Sequence, residues 1–186
     1  MRPDGPERYR RILAAVDVVP GDDDAETHAL NRRILDWSSS WALADLAELH
    51  LVHAWDAPAT GLLRRWNTSG LLQETANEEY RYVEDTRNRH QYALSALLDE
   101  LSDVLGPEGF GYLAIQSHLP KGSAIDVIPN LAADLKADLI VMGTVGRGGI
   151  PGLLIGNTAE TILNRCDCAV LAIKPPSFVS PVGISD

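Results

Sequence analysis

The stretch VMGTVGRGGIPGLLIGNTAE, Val141–Glu160, carries glycine at 143, 146, 148, 149, 152 and 156. An apolar run, ADLIVMGT (Ala137–Thr144), leads into it, and a helical pattern, about Thr158–Arg165, leaves it. Glycine accepts positive φ and lets another group come close to the backbone. A loop of free N–H groups that ends on a helix N-terminus can hold an anion. A plainer reading also stands: Asn157 caps the helix, with Glu160 three residues on, and the glycines form a wandering loop. The known phosphate motifs do not fit. No Gly-Lys pair follows the GxxxxGK[ST] pattern, and Gly146-Arg147-Gly148 begins a GxGxxG that Pro151 breaks.

Outward from this loop, the Leu-Ile-Val-Met run of residues 139–142 suits a strand covered on both faces. RILAAVDV (Arg11–Val18), ELHLVHAW (Glu48–Trp55), GYLAIQSHL (Gly111–Leu119) and CAVLAIK (Cys168–Lys174) read as further strands. Helices are expected between them. The first opens on the acidic run Asp22–Asp24 and repeats Leu30, Ile34, Trp37, Trp41 and Ala44 at helical spacing, with both tryptophans taken as core rather than ligand stackers. The second spans about Leu71–Leu105. The third starts at a capping box, Ser123–Asp126, and runs to about Lys136. Strands alternating with helices predict an α/β fold, a doubly wound five-stranded parallel sheet in the order 3-2-1-4-5 with helices on both faces. Ligands of such sheets sit beyond the carboxyl ends of the strands where the order reverses. Asp17 at the end of strand one and Gly143 at the end of strand four then face one crevice.

The chain has 186 residues and a net charge of -10, which argues against a general nucleic-acid binder but leaves room for a local phosphate site. No apolar run approaches the roughly 20 residues of a membrane span. The N-terminal MRPDGPERYR has no apolar signal core, so a cytoplasmic location and no membrane partner are expected. Cys166 and Cys168 read as alternate residues near a strand, which speaks against a disulfide between them. Residues 1–10 are expected to be a flexible segment, 11–175 one domain without internal repeat, and 176–186 a proline-rich tail.

One further spacing does match a known pattern: Gly143, two residues, Gly146, nine residues, Gly156, then a small polar residue. It resembles the G-x2-G-x9-G-[ST] nucleotide motif of the universal stress protein family. Asp17 after the first strand, HAWD (His53–Asp56) after the second and the closing CAVLAIKP are similar to that family as well, so the likeness covers about Arg11–Pro175. GTVGR and GNTAE look like the E-type subgroup, which commonly carries two such domains in tandem. The resemblance implies ATP or a related adenine nucleotide as ligand, with or without Mg²⁺. It implies Asp17 and Ala54 at the adenine, Met142 and Gly143 near the ribose, and backbone at Gly146, Gly156, Asn157 and Thr158 around the phosphates. Arg147 is the one cation of the loop, a phosphate clamp or a solvated side chain. Asn157 stands where the family has Ser or Thr, which puts a hydroxyl contact to phosphate or Mg²⁺ in doubt unless Thr158 supplies it.

No nucleophile–base constellation is visible, and the five histidines, His28, His50, His53, His90 and His118, are scattered in sequence and read as structural or surface groups. The HxGH and SGGxD motifs of related adenylating enzymes are absent, so ATP hydrolysis is expected to be slow or nil. Three functions therefore stand beside one another: a nucleotide-binding stress-response regulator with an unidentified protein partner, a dimeric interaction module without nucleotide, and a weak ATPase or adenine-nucleotide-dependent enzyme. The edge strand Ala169, Val170, Leu171, Ala172, Ile173 is apolar and invites pairing with a second copy, as the resemblance also implies. Arg64, Arg65 and Trp66 give TGLLRRWNTSG (Thr60–Gly70) an unusual basic character, as an ordinary loop or a contact surface.

Overall fold

The computed structural model describes residues 8–21, 24–60, 72–144 and 155–178. Its elements in chain order are β1 (Arg11–Ala15), α1 (Ala25–Asp45), β2 (Glu48–Val52), α2 (Leu72–Leu113), β3 (Gln116–His118), α3 (Ala124–Leu135), β4 (Leu139–Gly143), α4 (Asn157–Arg165) and β5 (Ala169–Ile173). The strands form one five-stranded sheet in the order β3-β2-β1-β4-β5, and every ladder is parallel. The expected α/β architecture and strand order are both present.

Alternation along β1 and β4 sorts the core into two halves. Ile12, Ala14, Leu139 and Val141 face α1 and α2, where Ile34 and Leu94 meet them. Leu13, Ala15, Ile140 and Met142 face α3 and α4, where Ile128 and Ile162 meet them. Both strands are buried on both faces, which is why they read as unbroken apolar runs.

Two helices depart from the sequence reading. In α1 the buried stripe is Leu30, Asn31, Ile34, Leu35, Ser38, Ser39 and Ala42. Trp37 is 48% exposed, and Trp41 is half-buried, stacked on Tyr9 with ring centroids 5.3 Å apart. The buried face is thus turned toward polar positions, whose groups are satisfied locally: Ser38 Oγ donates to the Leu35 carbonyl at 3.1 Å. Asp24 caps the helix by accepting from the N–H groups of Glu26 and Thr27.

The second departure is α2, which continues to Leu113, so Gly111–Leu113 are helical and the third strand shrinks to Gln116–His118. Gly106 interrupts the helix at φ 70° and ψ 166°, and Pro107 follows it. A residue at positive φ ends one helical run, and proline with its fixed φ starts the next. The glycines of GPEGFGYL looked like the approach to a strand; they mark a kink instead. The capping box at Ser123 does not form either. Ser123 is the N-cap of α3 but makes no side-chain cap bond, and Asp126 instead receives Arg165 Nη1 at 2.8 Å.

Gly106→Ala should lower the unfolding free energy by about 1–3 kcal/mol, because a Cβ disfavours that backbone conformation. Gly111→Ala meets nothing within 4 Å and should be neutral or raise stability by up to about 1 kcal/mol. Urea unfolding of the two variants checks the pair.

Candidate functional site

β1 and β4 are hydrogen-bonded neighbours with Ala15 opposite Met142, so the residues after Ala15 leave the sheet beside Gly143 and Thr144. β1 ends two residues before Asp17, not at Val18 as expected. Side chains replace the ladder there. Asn31 of α1 accepts from the Asp17 N–H through Oδ1 at 3.0 Å and donates from Nδ2 to the Asp17 carbonyl at 2.7 Å. Asn31 is buried, while the Asp17 side chain is 43% exposed. The peptide is therefore fixed while the carboxylate points where a ligand can reach it. Ala54, half-buried, lies two residues past the end of β2.

On the other side of the crevice, β4 ends at Gly143. Thr144 is held at both backbone groups: its N–H donates to the Ile173 carbonyl at 2.8 Å, and its carbonyl accepts from the Gly156 N–H at 2.7 Å. These bonds bring the start of α4 against the end of β4. The N-cap is Gly156, not Asn157, and among the described residues no side chain caps the helix. Asn157 and Thr158 are exposed residues of the first turn. An uncapped first turn leaves N–H donors for an anion or for water. Thr144 is 3% exposed, and its hydroxyl has no hydrogen-bond partner among the described residues. A buried hydroxyl without a partner is costly, so an orphan here fits a site completed by a polar ligand. Gly146 and Arg147 lie outside the described residues, as do Arg64, Arg65 and Trp66.

The histidines are less scattered than the sequence suggested. His53 Nε2 lies 2.8 Å from His90 Nδ1 of α2, and His50 Nδ1 lies 3.1 Å from His118 Nε2. The first pair sits on the α2 side of β2, directly behind Asp17: His53 Nδ1 is 4.0 Å from Asp17 Oδ1. The second sits on the opposite face, where burial, reinforced by His50, pushes the His118 pKa below its ordinary value. His50 is buried and its Nε2 has no hydrogen-bond partner. His28 pairs with Glu100 across α1 and α2 at 3.0 Å. Neither Asn31 nor His90 stood out in sequence, because a single polar residue on a helix carries no periodic signal.

No group of three or more His, Cys, Asp or Glu side chains among the described residues could hold a metal ion. Cys166 and Cys168 are both free. Burial, reinforced by Cys166, pushes Cys168 up to about 11, so it stays a thiol at neutral pH. Among the described residues no helix is long and apolar enough to cross a membrane. A shallow groove of about 620 Å³ runs along α2, with Asp85, Arg89 and Tyr92 facing Pro20 and Gly21.

Comparison with known proteins gives this geometry a family. The model of the universal stress protein family matches residues 8–174. Universal stress protein E of Escherichia coli K12 is 32% identical over 177 residues, 95% of this chain and 50% of that protein. The homolog from Haemophilus influenzae is 31% identical, over 89% of this chain and 48% of its own length. A solved structure from Pseudomonas aeruginosa PAO1, described as functionally unknown, superposes with a TM-score of 0.60 at 30% identity, over 92% of this chain and 50% of that one. The chain belongs to the universal stress protein family, and it spans about half the length of the curated relatives it matches.

Two outcomes are expected from these contacts. Asn31→Ala leaves both Asp17 peptide groups without their partner and should cost about 1–3 kcal/mol in urea unfolding. His118 binds a proton more weakly in the folded chain than its ordinary value of 6.5 allows. The unfolded chain therefore takes up more protons between the two values, and stability falls as pH drops through that window. Denaturation midpoints at about pH 7 and pH 5.5 should differ less in His118→Asn than in the parent.

Proposed function

We propose that this chain binds ATP or a related adenine nucleotide and uses the bound nucleotide to regulate its interaction with a protein partner during stress. The observation that carries the reading is the convergence at one switch point of a held but accessible carboxylate, Asp17, and an uncapped helix start beside an orphaned hydroxyl. Asp17 would accept from the adenine amine, with the backbone at Ala54 beside it. Met142 and Gly143 would lie along the ribose. The first-turn N–H groups of Asn157 and Thr158 would meet the phosphates, with Gly156, its own N–H held by Thr144, leaving room for their close approach, and the Thr144 hydroxyl would take a polar atom of the ligand. Gly146 and Arg147 would complete the phosphate side. With Asn157 in place of a hydroxyl residue, Thr158 would supply the hydroxyl to a phosphate-bound Mg²⁺. No general base is assigned, so any hydrolysis would rest on positioning alone. Free thiols at Cys166 and Cys168 support a reducing, cytoplasmic setting.

Mass spectrometry of nucleotide released from denatured, purified protein should find an adenine nucleotide. Asp17→Ala should weaken ATP in calorimetry by about tenfold or more, the scale of a lost hydrogen bond to a charged group. ATP affinity unchanged in both Asp17→Ala and Gly156→Val would leave the crevice without this role and favour the interaction-module reading.

The same chain is proposed to dimerise through the edge of β5. Among the described residues β5 ladders with β4 alone. Ala169 N–H donates to the Asp138 carbonyl and the Ile173 carbonyl accepts from Thr144, so residues 169, 171 and 173 face β4. Val170 and Ala172 then present their N–H groups to a partner. Val170→Pro or Ala172→Pro should shift the light-scattering mass from dimer to monomer with the circular dichroism spectrum retained. A folded variant still at dimer mass places the interface elsewhere.

A further inference from the structure

His53 touches both peptide groups that flank Asp17. The Val18 N–H points at His53 Nδ1 at 3.4 Å, and the Val16 carbonyl lies 3.3 Å from the same nitrogen. The two contacts are mutually exclusive. A bare Nδ1 accepts from Val18 N–H; a protonated Nδ1 donates to the Val16 carbonyl. On the far side of the ring, Nε2 faces His90 Nδ1 at 2.8 Å, a bridge with room for one hydrogen. If His53 Nε2 carries that hydrogen in the neutral pair, its Nδ1 is bare and holds Val18. If His90 carries it, His53 Nδ1–H holds Val16. Adding one proton keeps the bridge and puts hydrogen on both nitrogens of His53, which commits Nδ1 to Val16. A second proton places hydrogen on both facing nitrogens and breaks the bridge.

The charged groups around the pair set the direction. From the end of β1, Asp17 Oδ1 lies 4.0 Å from His53 Nδ1. From α2, His90 bridges to His53, with its ring centroid 5.0 Å from that of His53 and 5.9 Å from that of Trp55. From the segment after β3, Lys121 Nζ lies 5.8 Å over Trp55, while the His118 carbonyl accepts from the His53 N–H at 3.1 Å and its ring pairs on the other face. From α1, the side chain on Asp17 is the uncharged Asn31. Asp85 and Arg89 of α2 face the turn beyond, at Pro20 and Gly21. Asp17 is thus a carboxylate within ion-pair reach of the His53 ring.

We propose that His53, bridged to His90, is a proton-operated positioning residue for Asp17. With Nδ1 bare, Val18 is held and the ring presents neither a hydrogen at Nδ1 nor a positive charge to the carboxylate. With both ring nitrogens protonated, Nδ1 donates to the Val16 carbonyl in place of accepting from Val18, and the positive charge of the ring, 4.0 Å from Asp17 Oδ1, competes with a ligand for the carboxylate. The consequence for affinity rests on the nucleotide reading above; the motion of the turn does not.

The test has two arms on the whole chain. Nitrogen-15 NMR follows the imidazole nitrogens and the Val18 amide against pH. The Val18 amide should move with the midpoint of the His53 ring, take a new midpoint in His90→Gln, and lose its response in His53→Gln. Calorimetry with ATP, and with adenosine as a probe that has no phosphate to titrate, should show affinity falling about tenfold from pH 8 to pH 5.5, with a flattened profile in His53→Gln. A Val18 amide that stays still while the rings titrate overturns the proposal, and so does an affinity loss that is the same in His53→Gln. If neither probe binds at any pH, the nucleotide reading fails, and the Val18 titration alone sustains or overturns the positioning role.

Discussion

The site depends on how the chain leaves the middle of the sheet. β1 is flanked by β2 and β4, and its ladder with both stops at Ala15. Beyond that point the backbone groups must find partners outside the ladder or stand unsatisfied in a buried setting. The Val16 N–H still reaches the Val52 carbonyl at 3.0 Å. Asn31 takes both groups of Asp17, and His53 adjoins both groups that flank it. A side-chain amide imitates a neighbouring strand for one residue, so the chain turns out of the sheet without losing its hydrogen bonds. α1 must therefore pack with Asn31 buried, which helps explain why its inward face carries polar residues where apolar periodicity would not look for them.

Much of the fold was legible because it rests on apolar burial. β1 and β4 are covered on both faces and announce themselves as continuous runs, and the alternation of strands and helices leaves few topologies open. Asp17 and Gly143 could be brought to one crevice from that order alone. What was not legible came from local backbone chemistry and from single polar residues. Gly106 and Pro107 end one helical run and start another across a kink rather than leading into a strand, and no hydropathy pattern separates those outcomes. Gly156 took the cap position that Asn157 was expected to fill, because Asn157 already belongs to the first helical turn. His90 is far from His53 in sequence, and only the packing of α2 on the sheet joins them.

The two walls of the crevice are built by opposite means. On the β1 side, position is set by side chains: a buried amide and a buried imidazole, each tied to a helix, hold the backbone that carries one exposed carboxylate. On the β4 side, side chains are withdrawn. Gly143 and Gly156 have none, α4 carries no cap, and the buried Thr144 hydroxyl is the polar group left over. Hydrogen bonds from Thr144 to Ile173 and Gly156 make this wall depend on β5 and α4 keeping their places. A disturbance of the β5 edge would therefore reach the crevice through one residue. A disturbance of α2 would reach the other wall through His90. The edge strand and the kinked helix are each one side chain or one peptide away from the same crevice. Both walls are thus fixed by contacts that leave the order of the sheet untouched.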